Sequence, residues 1–524
     1  MRALRLCALL ALLPLALPDR CPPRKLIRPC RCDTDLEAPS ENAHAVKLTC
    51  RRLEIKRLSA IATSLKPYSF QTVTLDRYAS TTLPDNGTLA PLDTRHFVIR
   101  RARITTLGRG TFVGMRRLAA VKITDCRRLR SIGKGAFRRL PALLSIKVTG
   151  TRLRRLPSRV FHGAKRLRYL NLRNNRLKVF QPKAFKGLNS LTELNLDGNR
   201  FTRVSDGEFK YLPSVQRLTL RDNNITQLGY QAFYVLGRLA QLDLSRNAIG
   251  KLPFGVLFPL GSLEMLNMTD NALADVMVGT FSRNPVLRSV DLSGNNIAKM
   301  RVGAFTGPSL LESLNLSRNR IRRLPVGLLD GLTHLSVLDV SRNRLFRVAD
   351  GALRTNRTGA CFCAPSLRDL SLADNGLRRL APSMFSYMPD LVTLRLEGNA
   401  IRAVPHDVFV PSKNDCGCHG GVAALRHLSL ANNSICFLNP DTLTGMSDRF
   451  ESLELEGNPF HCDCCADWLK SMALINTNIT EYMKARCTNL SDRFLTEVDS
   501  RELICDGGVR QCDPYSPPRA CANT

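Results

Sequence analysis

Two sets of residues in this 524-residue chain have the types and spacing to do chemistry. The first is a pair of C-x-C clusters, Cys361-Phe362-Cys363 and Cys416-Gly417-Cys418, the second followed by His419. Their thiols suit disulfides across or within two loops, or a tetrahedral zinc site built from the four sulfurs or from three with His419. Disulfides fit a secreted chain better than metal does, so no cofactor is expected. The second set is a run of cations. From Thr94 to Ser190 there are 27 lysines and arginines against one carboxylate, Asp125, so +26 of the chain's net +33 lies in that stretch. Arg127, Arg128 and Arg130 are followed by Arg152, Arg154 and Arg155, then by Arg173, Arg176 and Lys178, with Arg138, Arg139, Lys165 and Arg166 in between. A belt of this density attracts polyanions through its summed field and counterion release. Outside a cell the abundant candidates are sulfated glycans and anionic surfaces. Nucleic acid is not an expected partner, because the columns carry no aromatic side chains on which bases would stack.

Catalysis is not expected. The chain contains no H-E-x-x-H, G-x-S-x-G, G-x-x-x-x-G-K-[ST] or G-x-G-x-x-G segment, and its eight histidines are scattered. Without a nucleophile, a base and an orienting group in one place, no reaction can be written.

The elements that must position these residues are repeats. Copies of L-x-x-L-x-L-x-x-N-x-L begin at Phe70, Thr94, Leu118, Leu143, Leu167, Leu191, Val215, Leu239, Leu263, Leu287, Leu311, Leu335, Leu367, Leu391, Leu425 and Phe450, most of them 24 residues apart. The L-x-L core reads as a short strand, and successive strands pair in parallel to line one face of a curved solenoid. Asn175, Asn199, Asn223, Asn247, Asn271, Asn295, Asn319 and Asn343 recur where an inward amide satisfies backbone groups that water cannot reach. Cys126 takes that position in its own repeat and reads as a buried free thiol. A once-per-repeat phenylalanine, at Phe112, Phe137, Phe161, Phe185, Phe209, Phe233, Phe281, Phe305, Phe385 and Phe409, reads as a stacked inner spine. Tyr169, Arg173, Asn195, Arg217, Asp243, Asp291, Asp339 and Arg395 should stand on the open strand face, the aspartates as ordinary surface residues. The units from Leu335 and Leu391 are 32 and 34 residues long, and their extra residues carry the two C-x-C clusters on one rim.

The first 20 residues pair two arginines with a short apolar run, the pattern of a signal peptide cleaved between Ala16 and Arg20. No later stretch is long and apolar enough to span a bilayer, so a secreted protein is expected. Sequons at Asn86, Asn224, Asn267, Asn315, Asn356, Asn432, Asn478 and Asn489 agree. Removing Cys7 leaves 17 cysteines, an odd number that keeps a disulfide-linked homodimer open beside a non-covalent one.

The repeat resembles the extracellular leucine-rich-repeat family over nearly all of the mature chain. The resemblance implies an α/β solenoid, a horseshoe with a parallel concave sheet and cysteine-rich caps. Cys21, Cys30, Cys32 and Cys50 look like its N-terminal cap, and NPFHCDCCADWL with Cys487 and Cys505 like its C-terminal cap. It implies bridges Cys462 to Cys487 and Cys464 to Cys505, with Trp468 closing the core. It leaves Cys436, Cys465, Cys512 and Cys521 unassigned. The expected layout is signal peptide 1–20, N-terminal cap and first strand 21–69, repeats 70–449 with insertions near 354–366 and 411–424, C-terminal cap 450–505 and tail 506–524. Slit-like, chondroadherin-like and Toll-like ectodomains share these features. The implied function is non-catalytic recognition of an extracellular protein or anionic glycan, in innate recognition or cell-surface signalling. A matrix protein holding collagen or sulfated glycosaminoglycan, a truncated Toll-like ectodomain and a non-catalytic enzyme subunit remain open beside it.

Overall fold

The computed structural model describes residues 21–35, 45–181, 183–349, 351–353, 355–357, 361–363, 366–382, 384–385, 388–409, 422–443, 446, 448–476, 479, 483–504 and 521. The chain divides into two units, the first formed by residues up to 225 with 231–239, the second by 226–230 with 240–524.

In the first unit Arg31–Asp35 pairs antiparallel with Ala45–Arg51, and every later partner is parallel. The order continues through Ser69–Asp76, Asp93–Arg100, Ala120–Thr124, Ser145–Thr149, Tyr169–Asn171, Glu193–Asn195 and Arg217–Thr219. The second unit repeats the arrangement from Gln241–Asp243 through Met265–Asn267, Ser289–Asp291, Ser313–Asn315, Val337–Asp339, Asp369–Ser371, Thr393–Arg395 and His427–Ser429 to Ser452–Glu454. Each short strand buries its central residue, as Leu170, Leu194 and Leu218 do, while the flanking side chains face outward. The period of two and the period of the repeat together put a leucine column behind the sheet of each unit.

Hydrogen bonds from the asparagines tie one turn to the next. Asn199 Nδ2 donates to the carbonyls of Leu172 (3.0 Å) and Leu196 (2.8 Å), and its Oδ1 accepts the Leu177 N–H (3.1 Å). The same set recurs at Asn295, which reaches Met268 O and Leu292 O and accepts from Leu273 N–H. One amide thus satisfies backbone groups in its own turn and in the preceding one, all of them buried. Ala102, Cys126 and Thr151 occupy this position in the earlier turns of the first unit, and there the strands run five to eight residues instead of three. Where no amide closes the turn, strand pairing carries the backbone further. Cys126 is free and buried, and burial pushes its thiol pKa up to about 11, so it is a protonated core residue.

The residue that ends each strand has a second task. Asn171, Asn195, Asp243, Asn267, Asp291, Asn315 and Asp339 each accept the backbone N–H two residues on, an Asx turn at the strand exit. The aspartates are therefore turn-forming groups. The phenylalanine spine is real but interrupted. Phe112 stacks on Phe137 and Phe137 on Phe161, while Phe180 inserts against Phe185, Phe201 and Phe209. In the second unit Phe281 stacks on Phe305 and Phe385 on Phe409, and Leu329 and Leu353 fill the spine position between them.

Both caps are covalently closed. Cys21 bonds Cys32 and Cys30 bonds Cys50 at one end. Cys462 bonds Cys487 at the other, and Cys436, unassigned from sequence, bonds Cys521. Cys464 is also disulfide-bonded. The C-terminal core is closed by Leu469, Met472 and Ala473 on the helix Asp467–Ile475, with Trp468 only half-buried. Helical turns point these residues inward at i, i+3 and i+4, and Trp468 falls off that stripe. The first insertion folds into an antiparallel hairpin, Thr355–Arg357 against Cys361–Cys363. The sulfur pairing of Cys361 and Cys363, all of Cys416, Cys418, Asn478, Cys505 and Cys512, and the side chains of Asn356 and Cys465 lie outside the described residues.

Glu208 breaks a local rule. The residue before each spine phenylalanine is small or apolar in the neighbouring turns, as at Ala184 and Ala232, yet here it is a half-buried carboxyl with Oε2 unpartnered. Burial outweighs its hydrogen bonds from Ser205 and the Arg203 charge, and raises its pKa to about 7.

Two outcomes follow. Asn199→Leu should lower unfolding free energy by about 2–4 kcal/mol, since it strands buried backbone groups in two turns. Guanidinium unfolding checks this, and a loss below about 0.5 kcal/mol contradicts the ladder's role. Because the Glu208 pKa is higher folded than unfolded, its contribution is full below the ordinary carboxyl value of 4.5 and fades as pH rises towards about 7. Glu208→Ala should remove about 1–3 kcal/mol of that decline, a range that allows for partial exposure. An unchanged pH profile of the melting temperature refutes it.

Candidate anion-binding belt

The cations sit where the solenoid leaves them no choice. A residue at one position of a turn recurs at the same position of the next, so side chains 24 or 25 residues apart stand one above another. Arg152, Arg176 and Arg200 make this column explicit. Their backbone N–H groups donate to Leu129 O, Leu153 O and Leu177 O of the preceding turn, at 2.9, 2.8 and 2.8 Å. Arg130 and Arg154 are hydrogen-bonded to each other through backbone atoms in the adjoining column. Leucines at 129, 153 and 177 are buried beneath, so the arginines are held outward by the packing of their neighbours.

Arg127, Arg128, Arg130, Arg152, Arg154, Arg155, Arg173 and Lys178 are exposed, and Arg176 is half-buried. The Arg176 guanidinium lies below its ordinary pKa, first through desolvation and then through repulsion from Arg152, Arg200, Arg154 and Arg130. These five cations therefore share one field. Arg127, Arg128, Arg155, Arg173 and Lys178 are carried by the same turns. Arg200 is the member that the clustered triplets did not point to; its register, 24 residues after Arg176, carried the signal. Among the described residues, none of these side chains makes an ion pair with a carboxylate. Asp125, the one acid of the stretch, is exposed at a left-handed turn position with φ 56°.

Several cations outside the belt are held by carboxylates, while others, Arg320, Arg322 and Arg344 among them, stand exposed without an ion pair among the described residues. Asp76 is only 2% exposed and holds Arg101 through both carboxylate oxygens at 2.9 and 3.0 Å, with Arg100 at 3.4 Å and Arg51 at 3.7 Å. Arg117 pairs with Asp93 and Arg217 with Glu193. In the second unit Arg246 and Arg318 share Asp270, Arg288 pairs with Glu312, and Arg342 with Asp374. The strand face there is of mixed sign, and Arg318, Asp339, Arg342, Asp369, Asp374, Arg395 and Glu397 line one shallow depression on it.

Of the sequons, Asn86, Asn224 and Asn432 are exposed, and Asn267 and Asn315 are half-buried on the strand face, each already accepting a hydrogen bond. Asn489 is exposed but its amide both accepts from Cys462 N–H and donates to Cys462 O, at 2.9 Å each. Among the described residues, no helix is long and apolar enough to cross a membrane, and no cluster of three or more His, Cys, Asp or Glu side chains could hold a metal.

Family models described as leucine-rich repeats match residues 116–177, 143–201, 165–225, 213–273, 285–345 and 424–446. Leucine-rich repeat and fibronectin type-III domain-containing protein 4 of Rattus norvegicus is 31% identical over 147 residues, 27% of this chain and 21% of that protein. Vasorin of Homo sapiens is 33% identical over 146 residues, 27% of this chain and 20% of its own. The aligned region thus spans about a fifth of the length of the curated relatives it matches. Among solved structures, TLR13 in its complex with ssRNA13 superposes with a TM-score of 0.67 at 18% identity, over 87% of this chain and 60% of that one. A leucine-rich-repeat protein of Leptospira interrogans gives 0.54 at 23% identity, over 77% and 93%. At these identities the structural likeness speaks for the fold alone. With the repeat register, the asparagine ladder, the disulfide-closed ends and the matched repeats in agreement, the chain is a leucine-rich-repeat solenoid similar to the extracellular members of that family.

Proposed function

We propose that this protein is a secreted, non-catalytic recognition protein that holds sulfated glycans or a similarly anionic surface on the arginine belt of its first unit. The observation that carries this reading is the stacking of belt cations in one another's field with no carboxylate partner among the described residues, where several arginines elsewhere are paired. Mixed charge keeps a surface soluble; a uniform, unpaired column stores repulsion that a polyanion relieves. The fold's customary use in its family, ligand binding on a preformed surface, agrees. The disulfides are the chemistry of an oxidising compartment, where such glycans are found.

The test compares the secreted protein with a variant carrying Arg127→Gln, Arg128→Gln, Arg152→Gln, Arg154→Gln, Arg155→Gln and Arg176→Gln, on heparin-agarose across a salt gradient. The parent should elute well above physiological salt and the variant should elute at markedly lower salt, because each phosphate-like or sulfate-like contact contributes to the slope of affinity against salt. Elution of both together at low salt would reduce the belt to a solvated face.

A further inference from the structure

A second cationic feature lies elsewhere on the turns of the first unit. The belt residues follow directly on each strand. Arg109, Lys134, Arg138, Arg139 and Arg159 come several residues later in three successive turns and converge on one groove of about 570 Å³. All five are exposed. That volume falls within the range of small-molecule sites, roughly 300–1,000 Å³.

The groove is shaped by backbone as well as charge. Gly110 and Gly135, both on its lining, hold left-handed conformations, φ 74° and 79°, which side chains rarely adopt. Arg139 and Arg159 are themselves left-handed, φ 58° and 56°, a conformation uncommon for such residues. Among the described residues, no carboxylate lines the groove. Asp85, next to the rim residue Asn86, accepts a hydrogen bond from Thr111 Oγ1 at 3.3 Å. His162 completes the wall with a further donor.

We propose that this groove is a binding site for a compact, multiply charged oxyanion, one presenting clustered sulfate or phosphate groups on a small scaffold. Five donors from three turns match several oxyanions close together, whereas the belt's columns match a long chain. Arginine forks engage such groups two oxygens at a time. The site is independent of the belt and stands or falls separately from it.

The test is calorimetric titration of the full chain at physiological salt with sucrose octasulfate and, in a parallel arm, inositol hexakisphosphate. Thr88→Ala in every protein keeps the Asn86 sequon from carrying a glycan on the rim. A groove variant carries Arg109→Ser, Arg138→Ser, Arg139→Asn and Arg159→Asn, asparagine being the residue that tolerates the left-handed turns. The belt variant described above is the comparison, and an unchanged melting temperature shows that each protein is folded. The expected result is binding of at least one of the two probes, a loss of tenfold or more in the groove variant, and a change under threefold in the belt variant. Binding of one probe alone identifies the source of the oxyanion as sulfated or phosphorylated. The proposal is overturned if neither probe binds, if the groove variant loses less than tenfold, or if the belt variant loses as much as the groove variant. Because heparin retention reads the belt and these probes read the groove, failure of one leaves the other reading intact.

Discussion

The structure depends on one hydrogen-bonding constraint: a buried amide that must serve two turns at once. Asparagines of the ladder such as Asn199 and Asn295 donate to carbonyls in their own turn and the one before, and accept from an N–H of the preceding turn. Because the backbone at the strand exit is shut away from water, a turn lacking this amide must find its partners otherwise. The turns with Ala102, Cys126 and Thr151 do so by lengthening their strands. The ladder fixes the register, and the register fixes everything that repeats with it: leucines inward, Asx turns at the strand exits, arginines outward in columns.

Charge inherits its meaning from that register. The same arginines scattered over a compact domain would each find a carboxylate or water. Stacked turn upon turn, Arg152, Arg176 and Arg200 lie in one another's field, and the Arg176 guanidinium is easier to deprotonate than an isolated one. The contrast with Asp76 is instructive. Its buried carboxylate gathers Arg51, Arg100 and Arg101, a structural use of the same residue type one or two turns away. Burial and partner, and not residue identity, separate a structural arginine from an available one.

The period made the architecture legible before any coordinates, because a repeat multiplies a weak local signal. The strands begin where the L-x-L pattern places them, and Cys126 proves to be a free buried thiol. What escaped has local causes. The Asx turns at Asp243, Asp291 and Asp339 went unread because a side chain's hydrogen bond to the backbone two residues on leaves no trace in periodicity. The Cys436 to Cys521 bridge joins residues 85 apart, and spacing does not decide such a pairing. The hairpin at Cys361–Cys363 lies inside an insertion, where the period that guided the rest is absent. The groove at Arg138 and Arg139 was visible as charge, but the convergence of three turns on it depends on backbone conformation at the far turns, left-handed at Gly110, Gly135, Arg139 and Arg159.

The central claim is that a long polyanion docks on the arginine columns of the first unit, and hydrogen–deuterium exchange with and without a heparin dodecasaccharide tests it most directly. The account expects slower exchange in peptides covering residues 127–130, 152–155 and 173–178, with the strands of the second unit unchanged. Protection confined to the second unit, or none under conditions where the oligosaccharide is bound, would contradict it.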